Sequence, residues 1–224
     1  MANENTILVL DGEGDIQRLK LETVSENNIP ETLNGESGFH IYHVRMLTEL
    51  ILTQLKKQGN CSLPDEDVQA IAITASLHDI GKSQIPKSIL DFPGKLSPVE
   101  YDIVKKHSVF GETIINELEF GGMAPKIRTY AADIARAHHE RYDGTGYPDG
   151  LKGDAIPLSA QVVSLADSYD ALTSNRSYKD AFSQDGAVQM IASGMCGVFN
   201  EVLIDCLLKV SGWIPITSPA TTIS

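Results

Sequence analysis

Phe39-His40-Ile41-Tyr42-His43-Val44-Arg45-Met46-Leu47-Thr48-Glu49-Leu50-Ile51-Leu52-Thr53-Gln54-Leu55 is the stretch whose reading decides the fold. Val44, Leu47, Leu50, Ile51 and Leu55 recur three and four apart, the apolar stripe of an amphipathic helix. The same period continues along the chain. Asp65 to His78 carries Val68, Ile71, Ala72 and Ala75, with Ser62 as the expected N-cap. Ser97-Pro98-Val99-Glu100 is a capping box with proline at the first helical position. The helix it opens is expected to reach about Leu118, where Gly121-Gly122 stops it. Pro125 opens another that reaches His139, and Ser159 caps one through Leu172. Shorter helices are expected near Ala187–Ala192 and Glu201–Val210. No run after residue 20 alternates with period two, so the chain is predicted to be an all-α bundle of about seven helices.

Composition bounds the rest. At 224 residues the chain suits one domain with a sizeable core. With 18 Lys and Arg against 30 Asp and Glu the formal charge is −12, which argues against a nucleic-acid polymer as partner. A small phosphorylated ligand in a locally positive pocket is still allowed. Three cysteines (Cys61, Cys196 and Cys206) with no Cys-x-x-Cys point to a reducing cytoplasm rather than a disulfide framework. The N-terminus has no basic region leading into an apolar stretch, so no secretory leader is expected, and no apolar run approaches the ~20 residues of a membrane span.

Residues 1–30 read as an N-terminal extension with a short strand at Ile7-Leu8-Val9-Leu10, and 31–211 as the functional domain. Residues 212–224, rich in Ser and Thr, read as a flexible tail. Ile7 to Leu19 resembles the opening of a response-regulator receiver domain, with no phosphorylation role assigned because Gly12 follows Asp11. Two irregular stretches, Ile80 to Lys95 and Asp143 to Pro157, are long for a compact domain, and such loops tend to be functional.

The six histidines carry the chemistry: His40, His43, His78, His107, His138 and His139. His78-Asp79 offers a neutral nitrogen and an anionic oxygen side by side. Glu36 and His40, four apart, share a face if the first helix starts early enough. Gly111, one turn beyond His107, admits a close neighbour. His138 and His139 diverge by ~100° on a regular helix, which predicts that each serves a different ion. Asp167 and Asp170 lie three apart, and one of them can close the site.

Taken in order, five motifs resemble the HD-GYP family, a subgroup of the HD-domain metal-dependent phosphohydrolases. They are His78-Asp79-Ile80-Gly81-Lys82; Lys106-His107 with Gly111; His138-His139-Glu140; Asp143-Gly144-Thr145-Gly146-Tyr147-Pro148; and Ala166-Asp167-Ser168-Tyr169-Asp170-Ala171-Leu172-Thr173. The resemblance runs from about Glu36 to Phe199. It implies a helical bundle with a central metal cluster and a phosphodiesterase acting on the bacterial second messenger cyclic di-GMP, giving linear pGpG and GMP beyond it. It implies metal ligation by His78, Asp79, His107, His138, His139 and Asp167, with Glu36 and His40 as the additional pair of members that hold a third metal. Lys82 matches the lysine of the first motif, and Arg176 and Lys179 match a phosphate-contacting pair. The chain departs from the family pattern at Ser177, at Asn200-Glu201 and at His43, none of which removes a ligand.

The residue types agree with that chemistry. Two metals ~4 Å apart can bind a phosphodiester oxygen, make a hydroxide at neutral pH and neutralise the leaving oxygen. Asp79, with two oxygens, is the natural bridge. Histidine with carboxylate suits iron, manganese or zinc, and two to three ions per chain are expected, iron or manganese preferred. Asp79 and Lys82 are the expected catalytic residues. Lys82 would stabilise developing phosphate charge, and Arg176 and Lys179 would grip phosphate. Tyr147 either contacts substrate or shapes its loop. Expected partners are cyclic di-GMP and, beyond it, a second copy of the chain or a signalling protein. Two rival readings stand beside this one. One is an HD phosphohydrolase for another cyclic dinucleotide or nucleotide, and the other a non-catalytic adaptor on the same fold.

Overall fold

The computed structural model describes residues 6–10, 16–20, 32–33, 36–117, 124–174 and 181–213. The chain begins with two antiparallel hairpins. In the first, β1 (Thr6–Leu10) pairs with β2 (Ile16–Lys20) in the register Thr6↔Lys20 to Leu10↔Ile16. The expected strand at Ile7–Leu10 is therefore present. Its partner is the next segment of chain in an antiparallel hairpin, whereas a receiver domain would place a helix there. The second ladder is minimal, β3 (Thr32–Leu33) against β4 (Glu36–Ser37).

The rest is helical, as the apolar period requires. The long first helix is α1 (Gly38–Lys57), which buries Ile41, Val44, Leu47, Ile51, Leu52 and Leu55 along one stripe and ends in Lys56 and Lys57, cations placed favourably at a helix C-terminus. Then come α2 (Asp65–Thr74), α3 (Lys87–Leu90), α4 (Pro98–Lys105), α5 (His107–Glu117), α6 (Pro125–Ala137), α7 (Leu158–Thr173), α8 (Gln184–Ala192) and α9 (Glu201–Val210). The core gathers α1, α2 and α7 to α9 around Leu47, Ile51, Val162, Leu165, Tyr169, Leu203 and Leu207. A smaller cluster of Leu77, Ile80, Ile115, Ala131 and Ala135 joins α5 and α6 to the turn after α2.

Several boundaries differ from expectation. α2 is entered from Pro64 with no side-chain cap, so Ser62 is not its N-cap. α7 likewise follows Pro157, and Ser159 is buried inside its first turn. In both places a proline whose φ is fixed near the helical value starts the helix. The helix expected from Pro98 to Leu118 is two helices. Its capping box is present, with Ser97 accepting from Glu100 N–H and the Glu100 carboxylate accepting from Ser97 N–H. At the break the His107 ring donates to the Val104 carbonyl at 2.7 Å, and Lys106 N–H closes a tight turn on Ile103. This split and the one-turn α3 account for nine helices among the described residues where about seven were expected.

The glycine expected to admit a neighbour at 111 meets another glycine. A Cβ on Gly81 would lie 1.9 Å from the His107 carbonyl oxygen and 2.5 Å from Gly111 N, so only glycine lets this turn lie against α5. That contact sets His78-Asp79 beside His107.

Candidate metal centre

Two groups of side chains meet where α1, α5, α6, α7 and the turn after α2 converge. In one, ligand atoms of Asp79, His107, His138 and His139 lie within 4.8 Å of one another. In the other, those of His40, His78 and Asp167 do the same. Asp79 reaches both groups. Its Oδ1 is 3.2 Å from His107 Nε2, and its Oδ2 is 3.2 Å from His78 Nε2. Lys82 Nζ sits 2.8 Å from the same Oδ2.

The imidazoles are held from behind. The Nδ1–H groups of His78, His107 and His138 donate to the carbonyls of Ala75 (2.9 Å), Val104 (2.7 Å) and Ile134 (2.9 Å). His40 Nδ1–H donates to Asp170 Oδ2 at 2.7 Å. Each bond fixes the tautomer and turns Nε2 inward, the arrangement of ligating histidines. As a result Nε2 atoms face each other, 3.4 Å apart, in the pairs His40–His78 and His107–His138. Neutral rings in this tautomer would oppose lone pairs there. Asp79 Oδ1 is buried with no hydrogen-bond partner. A buried, unpartnered carboxylate oxygen among inward-facing imidazole nitrogens is a donor set suited to a borderline transition metal.

Electrostatics follow the geometry. Burial would raise the Asp79 pKa, but His78 and Lys82 hold it well below the usual carboxylate range. Burial would lower that of His78, but Asp79 beside it and Asp167 beyond lift it to about 9, so a proton occupies His78 in the metal-free protein. Burial keeps His138 below its ordinary value and, with His138 as neighbour, keeps His139 well below. Both rings are therefore neutral near pH 7, the state that binds metal.

The separation of His138 from His139 expected on a regular helix does not occur. α6 ends at Ala137, His138 is its C-cap and His139 lies in the following turn. Their rings come to 4.0 Å and fall in one group. Glu36 is on β4, two residues before α1 begins, so the helical i, i+4 argument linking it to His40 does not hold. The Glu36 side chain, Arg176 and Lys179 lie outside the described residues. Of the aspartate pair, Asp167 faces the inward Nε2 of His40, at 3.5 Å, while Asp170 holds its Nδ1–H.

Tyr147 stacks on His139 at 4.6 Å between centroids and 28° between planes. Its loop is anchored by residues to which the sequence alone assigned no role. The buried Glu140 carboxylate accepts from the backbone N–H groups of Asp149 (2.7 Å), Gly150 (3.1 Å) and Leu151 (3.0 Å). Arg136 forks onto both Asp149 oxygens at 2.7 and 2.8 Å. Gly146 lies against the start of the loop, where a Cβ would come 2.4 Å from Arg141 N. Asp170, weighed with Asp167 to close the site, and His43, given no role, instead pair with each other. Asp170 Oδ1 accepts from His43 Nδ1–H at 2.8 Å, so one carboxylate clamps two α1 histidines. The signal was present: His40 and His43, like Asp167 and Asp170, are three apart on one helix each.

Comparison with known proteins was made against this geometry. A family profile described as HD domain matches residues 39–195. The cyclic di-GMP phosphodiesterase response regulator RpfG of Xanthomonas campestris is 42% identical over 90% of this chain and 50% of its own length. A 3'3'-cGAMP-specific phosphodiesterase 2 of Vibrio cholerae is 34% identical over 81% of this chain and 33% of its own length. The chain thus spans half or less of these relatives. A structure described as Bd1817, a HDG"Y"P protein from Bdellovibrio bacteriovorus, matches the fold with a TM-score of 0.55 and 23% identity, covering 76% of this chain and 51% of that one.

Proposed function

The chain belongs to the HD-domain family, and on that premise we propose that it is a metal-dependent phosphodiesterase hydrolysing cyclic di-GMP to linear pGpG, with GMP as the further product. The observation that supports this most is the pair of donor groups meeting at Asp79, which belongs to one, lies 3.2 Å from His78 of the other, and has a buried Oδ1 with no hydrogen-bond partner. An adaptor would be free to lose members of such a set. Relatives named for cyclic di-GMP and for 3'3'-cGAMP both support a cyclic dinucleotide. The cyclic di-GMP relative shares the higher identity, 42% against 34%.

Asp79, His107, His138 and His139 are the proposed ligands of one ion, and His40, His78 and Asp167 of a second, with Asp79 within reach of both groups and Glu36 and His40 the additional pair that would support a third. Iron or manganese is the proposed metal. Bound there, it would supply Lewis-acid charge and acidify water at neutral pH. The remaining steps fall to side chains. The four Nδ1–H bonds keep each Nε2 turned inward. Lys82 brings an ammonium beside Asp79, where it opposes negative charge building on phosphate. Arg176 and Lys179 are the proposed phosphate grip, and Tyr147, stacked on His139, walls the site. Residues 31–211 are the proposed catalytic unit, working in the cytoplasm with a second copy or a signalling protein as partner. Among the described residues no helix is long and apolar enough to cross a membrane.

The test is anaerobic incubation of iron- or manganese-loaded protein with cyclic di-GMP, 3'3'-cGAMP and cyclic di-AMP, followed by chromatography. Conversion of cyclic di-GMP to pGpG, abolished by Asp79→Ala, is expected. Faster turnover of 3'3'-cGAMP would move the substrate assignment. No turnover of any of them by protein with a full metal complement would leave the adaptor reading.

A further inference from the structure

Five histidines belong to the two donor groups, and four of them are oriented by a hydrogen bond. His40, His78, His107 and His138 each donate Nδ1–H to a carboxylate or a backbone carbonyl. His139 is the exception. Among the described residues its imidazole makes no hydrogen bond, although it shares a donor group with Asp79, His107 and His138. Nor does a helix orient it. α6 ends at Ala137 and His139 lies in the turn beyond the C-cap, where the helical restriction of χ1 no longer applies.

The loop after it supplies what is missing. Tyr147 N–H donates to the His139 carbonyl at 3.3 Å, and the Tyr147 ring lies on the imidazole at 4.6 Å between centroids and 28° between planes. One residue thus holds both the backbone and the ring of His139. The other rings against His139 are its fellow donors, His107 edge-on at 5.0 Å and His138 at 4.0 Å. Close approach of the loop depends on Gly146, where a Cβ would come 2.5 Å from the His139 carbonyl oxygen and 2.4 Å from Glu140 Cα. Glu140 fixes the far side of the same loop through three backbone N–H groups. A stacked ring constrains the plane of an imidazole and leaves both of its nitrogens unengaged. A ligand needs that orientation, and the partners behind ligating histidines supply it elsewhere in this site.

We infer that Tyr147 is the positioning residue of His139: its ring takes the place of the hydrogen bond that orients the other four histidines and holds the imidazole among Asp79, His107 and His138. This rests on the metal-site reading above and deepens it. Tyr147 then acts on metal binding before any substrate arrives, and the loop it belongs to sets the affinity of one donor group and not of the other.

The experiment compares wild type with Tyr147→Phe, Tyr147→Leu and Tyr147→Ala. It reads metal release during dialysis against a graded chelator, with circular dichroism for the fold, and His139→Ala identifies which release step belongs to the group containing Asp79. Tyr147→Phe is expected to hold metal like wild type, since the ring and not the hydroxyl carries the effect. Tyr147→Leu keeps bulk without a π-face and is expected to weaken that step about 2- to 10-fold, the worth of an aromatic pair. Tyr147→Ala is expected to weaken it about 10-fold or more, as for other partners of ligating histidines. The His40, His78 and Asp167 step should not move. Wild-type retention in both Tyr147→Leu and Tyr147→Ala overturns the inference, and so does failure of Phe to rescue. Equal weakening of both steps also overturns it, because the ring would then serve the fold at large. A folded wild type that takes up no metal at Asp79 overturns the inference together with the metal-site reading, an outcome distinct from the others.

Discussion

Asp170→Asn is a one-atom change whose effect the hydrogen-bond geometry determines. Asp170 Oδ2 accepts from His40 Nδ1–H at 2.7 Å, while Oδ1 accepts from His43 Nδ1–H at 2.8 Å and from the Ser174 hydroxyl at 3.0 Å. Asparagine keeps one acceptor oxygen and gains a donor. The oxygen settles where two donors converge, at the Oδ1 position, so the new NH2 faces His40. His40 must then accept at Nδ1 and carry its proton on Nε2, the atom facing His78 and Asp167. A protonated Nε2 cannot ligate. Loss of a partner behind a ligating histidine lowers metal affinity about 10- to 100-fold, and a change of tautomer belongs at the upper end. Metal analysis after dialysis against a graded chelator should show the His40, His78 and Asp167 group emptying first. The Asp79, His107, His138 and His139 group should stay filled. Equal retention at both groups in Asp170→Asn would refute the argument.

Three further outcomes follow. Glu140→Ala leaves the N–H groups of Asp149, Gly150 and Leu151 without their acceptor; it should destabilise the fold by about 2–4 kcal/mol in urea and release Tyr147 from His139, and unchanged stability would contradict the anchoring role. Gly81→Ala drives a Cβ into the His107 carbonyl; it should cost about 1–3 kcal/mol and lower metal content even in protein that stays folded, which circular dichroism and metal analysis read separately. His78, lifted to about 9 by Asp79 against the effect of burial, stabilises the metal-free fold fully below its ordinary 6.5, and that contribution disappears as pH rises through about 9. A metal must displace this proton, so apparent affinity should rise with pH up to about 9 and binding near pH 7.5 should release protons to an indicator dye; uptake with no proton release would contradict it.

The helices were legible because their apolar stripes are long and regular, and Ser97 to Glu100 marked a start that the structure keeps. The starts at Pro64 and Pro157 were misassigned because a nearby serine looks like a cap, whereas a proline at the boundary sets the entry by its own φ. The break at Lys106 was not legible, since it accompanies a bond from the His107 ring to a backbone carbonyl that no local pattern shows. The proposed ligands were legible as residue types in order, but their grouping was not. That grouping depends on α6 ending one residue before His138, which brings His138 and His139 together. The anchoring roles of Glu140 and Asp170 were not legible for a related reason. Their partners are backbone groups 9 to 11 residues away and histidines 127 to 130 residues away, so their roles exist only once the chain is folded.

Anomalous diffraction at the iron and manganese edges, on crystals of protein purified anaerobically, tests the central claim most directly. The account predicts at least two peaks per chain, one on either side of Asp79, among His107, His138 and His139 and among His40, His78 and Asp167, with any third beside Glu36 and His40. Peaks elsewhere, or none within bonding distance of Asp79 in metal-replete crystals, would contradict it.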